Sequence, residues 1–83
     1  MTIIKHYTAE WCSPCRALKP IMNEIVSKNS HVQYQVIDVD ANRDMANAAG
    51  IRSVPVVVVE KNGMETSRFV GVQSAAIYEN AIK

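Results

Sequence analysis

Cys12 and Cys15, in the run Cys12-Ser13-Pro14-Cys15, are the only two thiols of the chain. At this spacing two thiols can close into a disulfide with each other or supply half of a metal site. Before them, Thr2 to Thr8 is rich in β-branched and aromatic residues and predicts a strand. After them, Leu18, Ile21, Met22, Ile25 and Val26 fall on one stripe of a helix over Pro14–Lys28, with Arg16, Lys19, Asn23 and Ser27 on its wet side. Cys12 therefore lies at or just before a helix N-terminus, where unpaired N–H groups and the helix dipole favour a thiolate. That placement makes Cys12 a nucleophile toward disulfides. Cys15, one helical turn on, is placed to attack a mixed disulfide at Cys12 and leave a Cys12–Cys15 bond. Pro14 suits the first helical positions, where its missing N–H costs nothing. Structural zinc wants four ligands, and the chain has no second cysteine pair. His6 and His31 are the remaining candidates, and local spacing does not bring both to the motif. Redox chemistry is thus favoured over a zinc or iron–sulfur role and over an accidental pair of core cysteines.

The remaining elements follow from period and punctuation. Pro20 lies inside the first helix, lacks an N–H donor and predicts a kink. Val32–Val39 reads as an edge strand, with Val32, Tyr34 and Val36 on a buried face and Gln33 and Gln35 on the other. Asn42–Ala49 reads as a short helix with Asn42 as N-cap, Met45, Ala48 and Ala49 at helical spacing, and Gly50 as its stop. Val54-Pro55-Val56-Val57-Val58-Val59 is too apolar for an exposed strand. Asn62-Gly63 signals a hairpin into a Thr66–Val70 strand that ends at Gly71. Ser74 caps a last helix with Ile77, Tyr78, Ala81 and Ile82 facing inward. The order is βαβαββα, a single α/β domain over residues 1–83 with a four-stranded mixed sheet and three helices.

Composition narrows the function classes. A chain of 83 residues, 48% hydrophobic and 20% charged, describes one globular domain too small to enclose a large cofactor. Nine Lys and Arg against eight Asp and Glu are scattered rather than striped, which argues against nucleic acid or an anionic membrane as partner. No apolar run approaches the ~20 residues of a membrane span, and Met1 to His6 lacks the features of a secretory signal. The expectation is a cytoplasmic monomer.

The stretch Ala9-Glu10-Trp11-Cys12-Ser13-Pro14-Cys15-Arg16 resembles the active-site stretch of thioredoxins, with Trp before the first Cys and Pro before the second. Further matches keep their order: Pro20, Asp38-Val39-Asp40, Gly50-Ile51-Arg52-Ser53-Val54-Pro55, Lys61-Asn62-Gly63 and Gly71. Together they cover nearly the whole chain. The resemblance implies that Pro55 is cis beside the cysteines and that the Val54 backbone pairs with a substrate peptide. It also implies that Trp11, Pro14, Ser53, Val54 and Gly71 rim a patch that docks partners. An ordinary trans Pro55 and a Trp11 that merely packs are the plainer alternatives. The implied activity is reduction of protein disulfides without a bound organic cofactor. NADPH enters only through a thioredoxin reductase, and ribonucleotide reductase is among the implied targets. A glutathione-regenerated, glutaredoxin-like enzyme is the second reading. Phe69-Val70-Gly71-Val72-Gln73 leans against it, lacking paired glycines and following acids. A nonenzymatic subunit of a larger assembly is the third.

Three departures from the family pattern matter. The chain starts at the family's second strand, leaving a minimal fold as in glutaredoxins. That should uncover one sheet face, near Lys5, Gln33 and Gln35, and leave Val32–Val39 at the edge. His6 stands where thioredoxins usually carry a buried Asp, and Val36 where its Lys partner would be. His6 is thus either a base for Cys15, directly or through water, that titrates near physiological pH or a half-buried, hydrogen-bonded histidine without a role. Ser13 replaces the usual Gly, which leaves the reduction potential open.

Overall fold

The computed structural model describes residues 1–83. The elements are β1 (Thr2–Thr8), α1 (Ser13–Lys28), β2 (Val32–Asp38), α2 (Arg43–Ala48), β3 (Val56–Lys61), β4 (Met64–Val70) and α3 (Ala75–Ala81). The sheet order is β2-β1-β3-β4. β1 pairs with β2 in parallel and with β3 antiparallel, and β3 and β4 form an antiparallel hairpin. This is the expected four-stranded mixed sheet with three helices, and β2 is at its edge.

Each face of the sheet has its own cover. On one side Ile4, Val57 and Val59 pack with Leu18, Met22 and Ile25 of α1 and Tyr78 of α3. Phe69 meets the Tyr78 ring edge-on at 5.4 Å. On the other side Tyr7, Ile37, Val56 and Val58 pack with Ala46 of α2 and with Ile51. The four consecutive valines of β3 are therefore all buried, because their strand is central and covered on both faces. Where α2 does not reach, Gln33 and Gln35 are exposed. Lys5 and Glu60 pair at 2.9 Å there.

Several local expectations are corrected. Val36 is 47% exposed rather than buried, because it borders an open cleft with Arg16 and Lys19, whereas Val32 of the same strand is covered by the core. In α2 the inward residue is Ala46, while Met45 and Ala48 are exposed. With only six helical residues, one small side chain is enough to seat it. Ile77 is exposed, and α3 docks through Tyr78 and Ile82. Neither Asn42 nor Ser74 makes a side-chain cap hydrogen bond. β3 starts at Val56, which leaves Val54 and Pro55 in the preceding loop. The hairpin places Asn62 (φ 54°) and Gly63 (φ 83°) in succession, the paired positive φ of a two-residue turn.

Candidate active site

Cys12 caps α1. Its backbone is extended (φ −96°, ψ 102°), Pro14 occupies the first turn, and the Cys15 N–H donates to Cys12 Sγ at 3.2 Å. The helix is thus capped by sulfur, and the same N–H is aimed at the atom that carries negative charge when the pair is reduced. The stripe that buries Leu18, Met22 and Ile25 holds α1 on the sheet, so this end is fixed by packing. Cys12 and Cys15 form a disulfide, with Cα atoms 5.3 Å apart. Cys15 is fully buried and Cys12 is 4% exposed. The two sulfurs sit with Ala9 in a small apolar cluster against which Val39 and Val54 pack.

The Val54–Pro55 peptide is cis, as the resemblance implies. Pro55 is buried, and its carbonyl accepts the Gly71 N–H at 2.9 Å, so the loop after β4 is tied to the loop before β3. Gly71 has φ 81°, and the Tyr78 hydroxyl secures this turn by accepting the Gln73 N–H at 2.8 Å. Neither the N–H nor the C=O of Val54 makes a backbone hydrogen bond within the fold. Trp11 is 68% exposed, and its indole N–H donates to Asp40 Oδ2 at 2.9 Å. Trp11, Ser53 and Val54 line one groove of about 300 Å³. Pro14 is exposed on the first turn of α1.

His6 is hydrogen-bonded, as the plainer expectation had it, but it is more deeply buried than expected and does not titrate near physiological pH. It is fully buried, its Nδ1 lies 2.9 Å from the Tyr34 hydroxyl, and its Nε2 has no partner. Burial, and secondarily the charge of Lys19, pushes the imidazole from 6.5 down to about 4. It is therefore neutral at physiological pH instead of titrating there. Burial likewise pushes the Tyr34 hydroxyl up to about 12, so it stays protonated. The structure brings His6 to Tyr34 and places no hydrogen bond between His6 and Cys15.

Sequence reasoning did not single out Asp40, the partner of Trp11, or Arg43, Asn47 and Arg52 along the groove. Asp40 had a signal in Asp38-Val39-Asp40, two acids at the end of a strand. The others come from α2 and the loop after it, and only the fold sets them beside Trp11. No group of three or more His, Cys, Asp or Glu side chains comes together as a metal site. No helix is long and apolar enough to cross a membrane.

The thioredoxin family model matches residues 1–83. The chain belongs to the thioredoxin family. Among curated thioredoxins it is similar to one from Rickettsia bellii, 40% identical over 74 residues, covering 87% of this chain and 70% of the relative. An H-type thioredoxin from Fagopyrum esculentum is 37% identical over 71 residues, covering 86% of this chain. This chain spans 61% of the length of that relative. Among solved structures, the thioredoxin NaTrxh from Nicotiana alata superposes with a TM-score of 0.91 at 32% identity. That match covers 98% of this chain and 70% of the other. The Cys12–Cys15 disulfide thus stands where a thioredoxin-family fold holds its redox pair, at the start of α1 beside a cis proline.

Proposed function

We propose that this protein is a thiol–disulfide oxidoreductase that reduces disulfides in other proteins. The observation that carries the reading is the Cys12–Cys15 disulfide at the N-terminus of α1, with Cys12 4% exposed and Cys15 fully buried. In the reduced protein, Cys12 thiolate attacks a substrate disulfide, and one substrate sulfur leaves as a thiol after taking up a proton. Cys15 then loses its proton and attacks Cys12 Sγ. The second substrate sulfur leaves reduced, and the Cys12–Cys15 bond holds the two-electron oxidation. Burial keeps Cys15 from outside disulfides, so it reacts only with the neighbouring sulfur. The Cys15 N–H, 3.2 Å from Cys12 Sγ, stabilises that sulfur as the attacking thiolate.

The unpaired Val54 backbone receives the substrate as an added extended segment, with Trp11, Pro14, Ser53 and Gly71 around it and Pro55 fixing the loop. His6 passes on the proton of Cys15 through an intervening water. That proton goes to the leaving substrate sulfur, which departs as a thiol. No organic cofactor binds. A thioredoxin reductase restores the dithiol at the expense of NADPH, and targets are disulfide proteins such as ribonucleotide reductase. The protein works in the cytoplasm as a monomer.

The test is recovery of free thiol from the oxidised protein, with NADPH plus thioredoxin reductase on one arm and NADPH, glutathione and glutathione reductase on the other. Recovery on the first arm alone is expected. Recovery on the second alone would replace the reductant by glutathione, and full biological activity of a Cys12→Ser/Cys15→Ser variant would overturn the redox reading. His6→Ala should slow release of reduced substrate while leaving Cys12 alkylation nearly unchanged; equal effects on both would remove His6 from the mechanism.

A further inference from the structure

The lining of the groove near the cysteines carries positive charge alone, although the Asp40 carboxylate lies next to it on the Trp11 indole. Val39 and Val54, which pack against the cysteine pair, also form part of the groove's wall, so it adjoins the cysteine cluster. Arg43 and Arg52 line it, and no carboxylate does. Both arginines are exposed, and neither takes part in the ion pairs of the fold, which join Lys5 to Glu60, Lys28 to Glu24 and Arg68 to Glu65. The other two arginines have partners. Arg68 binds Glu65 and the Ala49 carbonyl, and Arg16 donates to the Glu10 carbonyl. Asp40, near the mouth of the groove, is held by the Trp11 indole. Two guanidinium groups with no partner in the fold thus face the space a substrate would fill.

Building on the proposed redox function, we infer that Arg43 and Arg52 select disulfide substrates that carry an acidic side chain close to the cysteine attacked by Cys12. A guanidinium fork matches a carboxylate in two parallel hydrogen bonds, which Asn47 and Ser53 in the same wall cannot reproduce. A formal net charge of only +1 gives no strong global attraction for acidic peptides, so the preference is local to the groove. Pairs formed at such a solvent-open rim are modest, about two- to fivefold each in rate constant or affinity, or roughly tenfold for both. Part of this acts on association, and all of it weakens as salt screens the charges.

The experiment uses the reduced full chain and three synthetic peptides, each with one cysteine in a disulfide with a chromogenic thiol. They differ only in carrying Glu, Gln or Lys on both flanks of that cysteine. Single-turnover rates are divided by the rate of the same peptide with dithiothreitol, which removes intrinsic reactivity. We expect the Glu peptide to exceed the Lys peptide by about tenfold at low salt, falling toward unity at ~0.5 M salt. Arg43→Gln combined with Arg52→Gln should bring the ratio to about one. Arg43→Lys with Arg52→Lys should retain part of it, and Lys28→Gln, at the far end of α1, should keep all of it. Equal rates on the Glu and Lys peptides, or a ratio that survives the double Gln change, would overturn the inference while leaving the redox reading intact. No transfer to any peptide would overturn both.

Discussion

His6→Gln should flatten the acid limb of the stability curve. The imidazole is fully buried under α1, with Tyr34 of β2 on Nδ1, the Lys19 charge on the helix side, the apolar Val57 opposite it on β3 and nothing on Nε2. Its folded value of about 4 lies below the ordinary 6.5, with burial the main cause and the Lys19 charge second. Between those two values the unfolded chain holds a proton on this ring and the folded chain does not. Stability therefore falls as pH falls through that window, is unaffected by this group above it, and carries the full penalty below it. At about 1.4 kcal/mol per tenfold change in proton affinity, the displacement corresponds to at most about 3.5 kcal/mol, of which roughly 2 kcal/mol should be expressed between about pH 7 and about pH 4.5. Urea unfolding of the oxidised protein at about pH 7 and about pH 4.5 measures it, because the disulfide keeps thiol titration out. Glu65, held below its ordinary value by the Arg68 hydrogen bond, loses its contribution only at more acid pH and does so equally in the variant. The difference between wild type and His6→Gln isolates the histidine. Parallel pH curves, or an NMR titration placing the His6 midpoint near 6.5, would refute the account of a neutral, desolvated imidazole.

Three further outcomes follow from packing and backbone geometry. Leu18→Ala opens a hole in a fully buried position between α1 and the sheet, and should cost about 2–5 kcal/mol in urea unfolding. Gly71→Ala meets no heavy atom within 4 Å, so its cost comes from φ 81° alone, about 1–2 kcal/mol; a neutral result would show that the turn relaxes. Tyr78→Phe leaves the Gln73 N–H without its acceptor and should cost about 1–3 kcal/mol. The same change should raise KM for a protein disulfide more than for a small one, because Gly71 borders the docking loop.

Most of the fold and the reacting pair could be read from the chain because the deciding interactions are local. The β1 and α1 patterns flank Cys12 and Cys15 directly, so strand, cap and nucleophile follow from neighbours in sequence. What failed depends on distant neighbours. Val36 alternates correctly for burial, yet it borders an open cleft and stays 47% exposed. Met45 and Ile77 have helical spacing but belong to helices of six and seven residues, which seat themselves through Ala46 and Tyr78. His6 illustrates the limit most sharply. Its type and position suggested a group titrating near neutrality, whereas burial, and secondarily the charge of Lys19, 13 residues away, hold it neutral. The arginines of the groove are the converse case, exposed and unremarkable as single letters. They acquire a direction only when the cis Val54–Pro55 loop and α2 are brought beside Trp11. In a domain this small the cysteine pair is set by a local motif, whereas the surroundings of His6 and the lining of the groove are set by which segments the sheet order brings together.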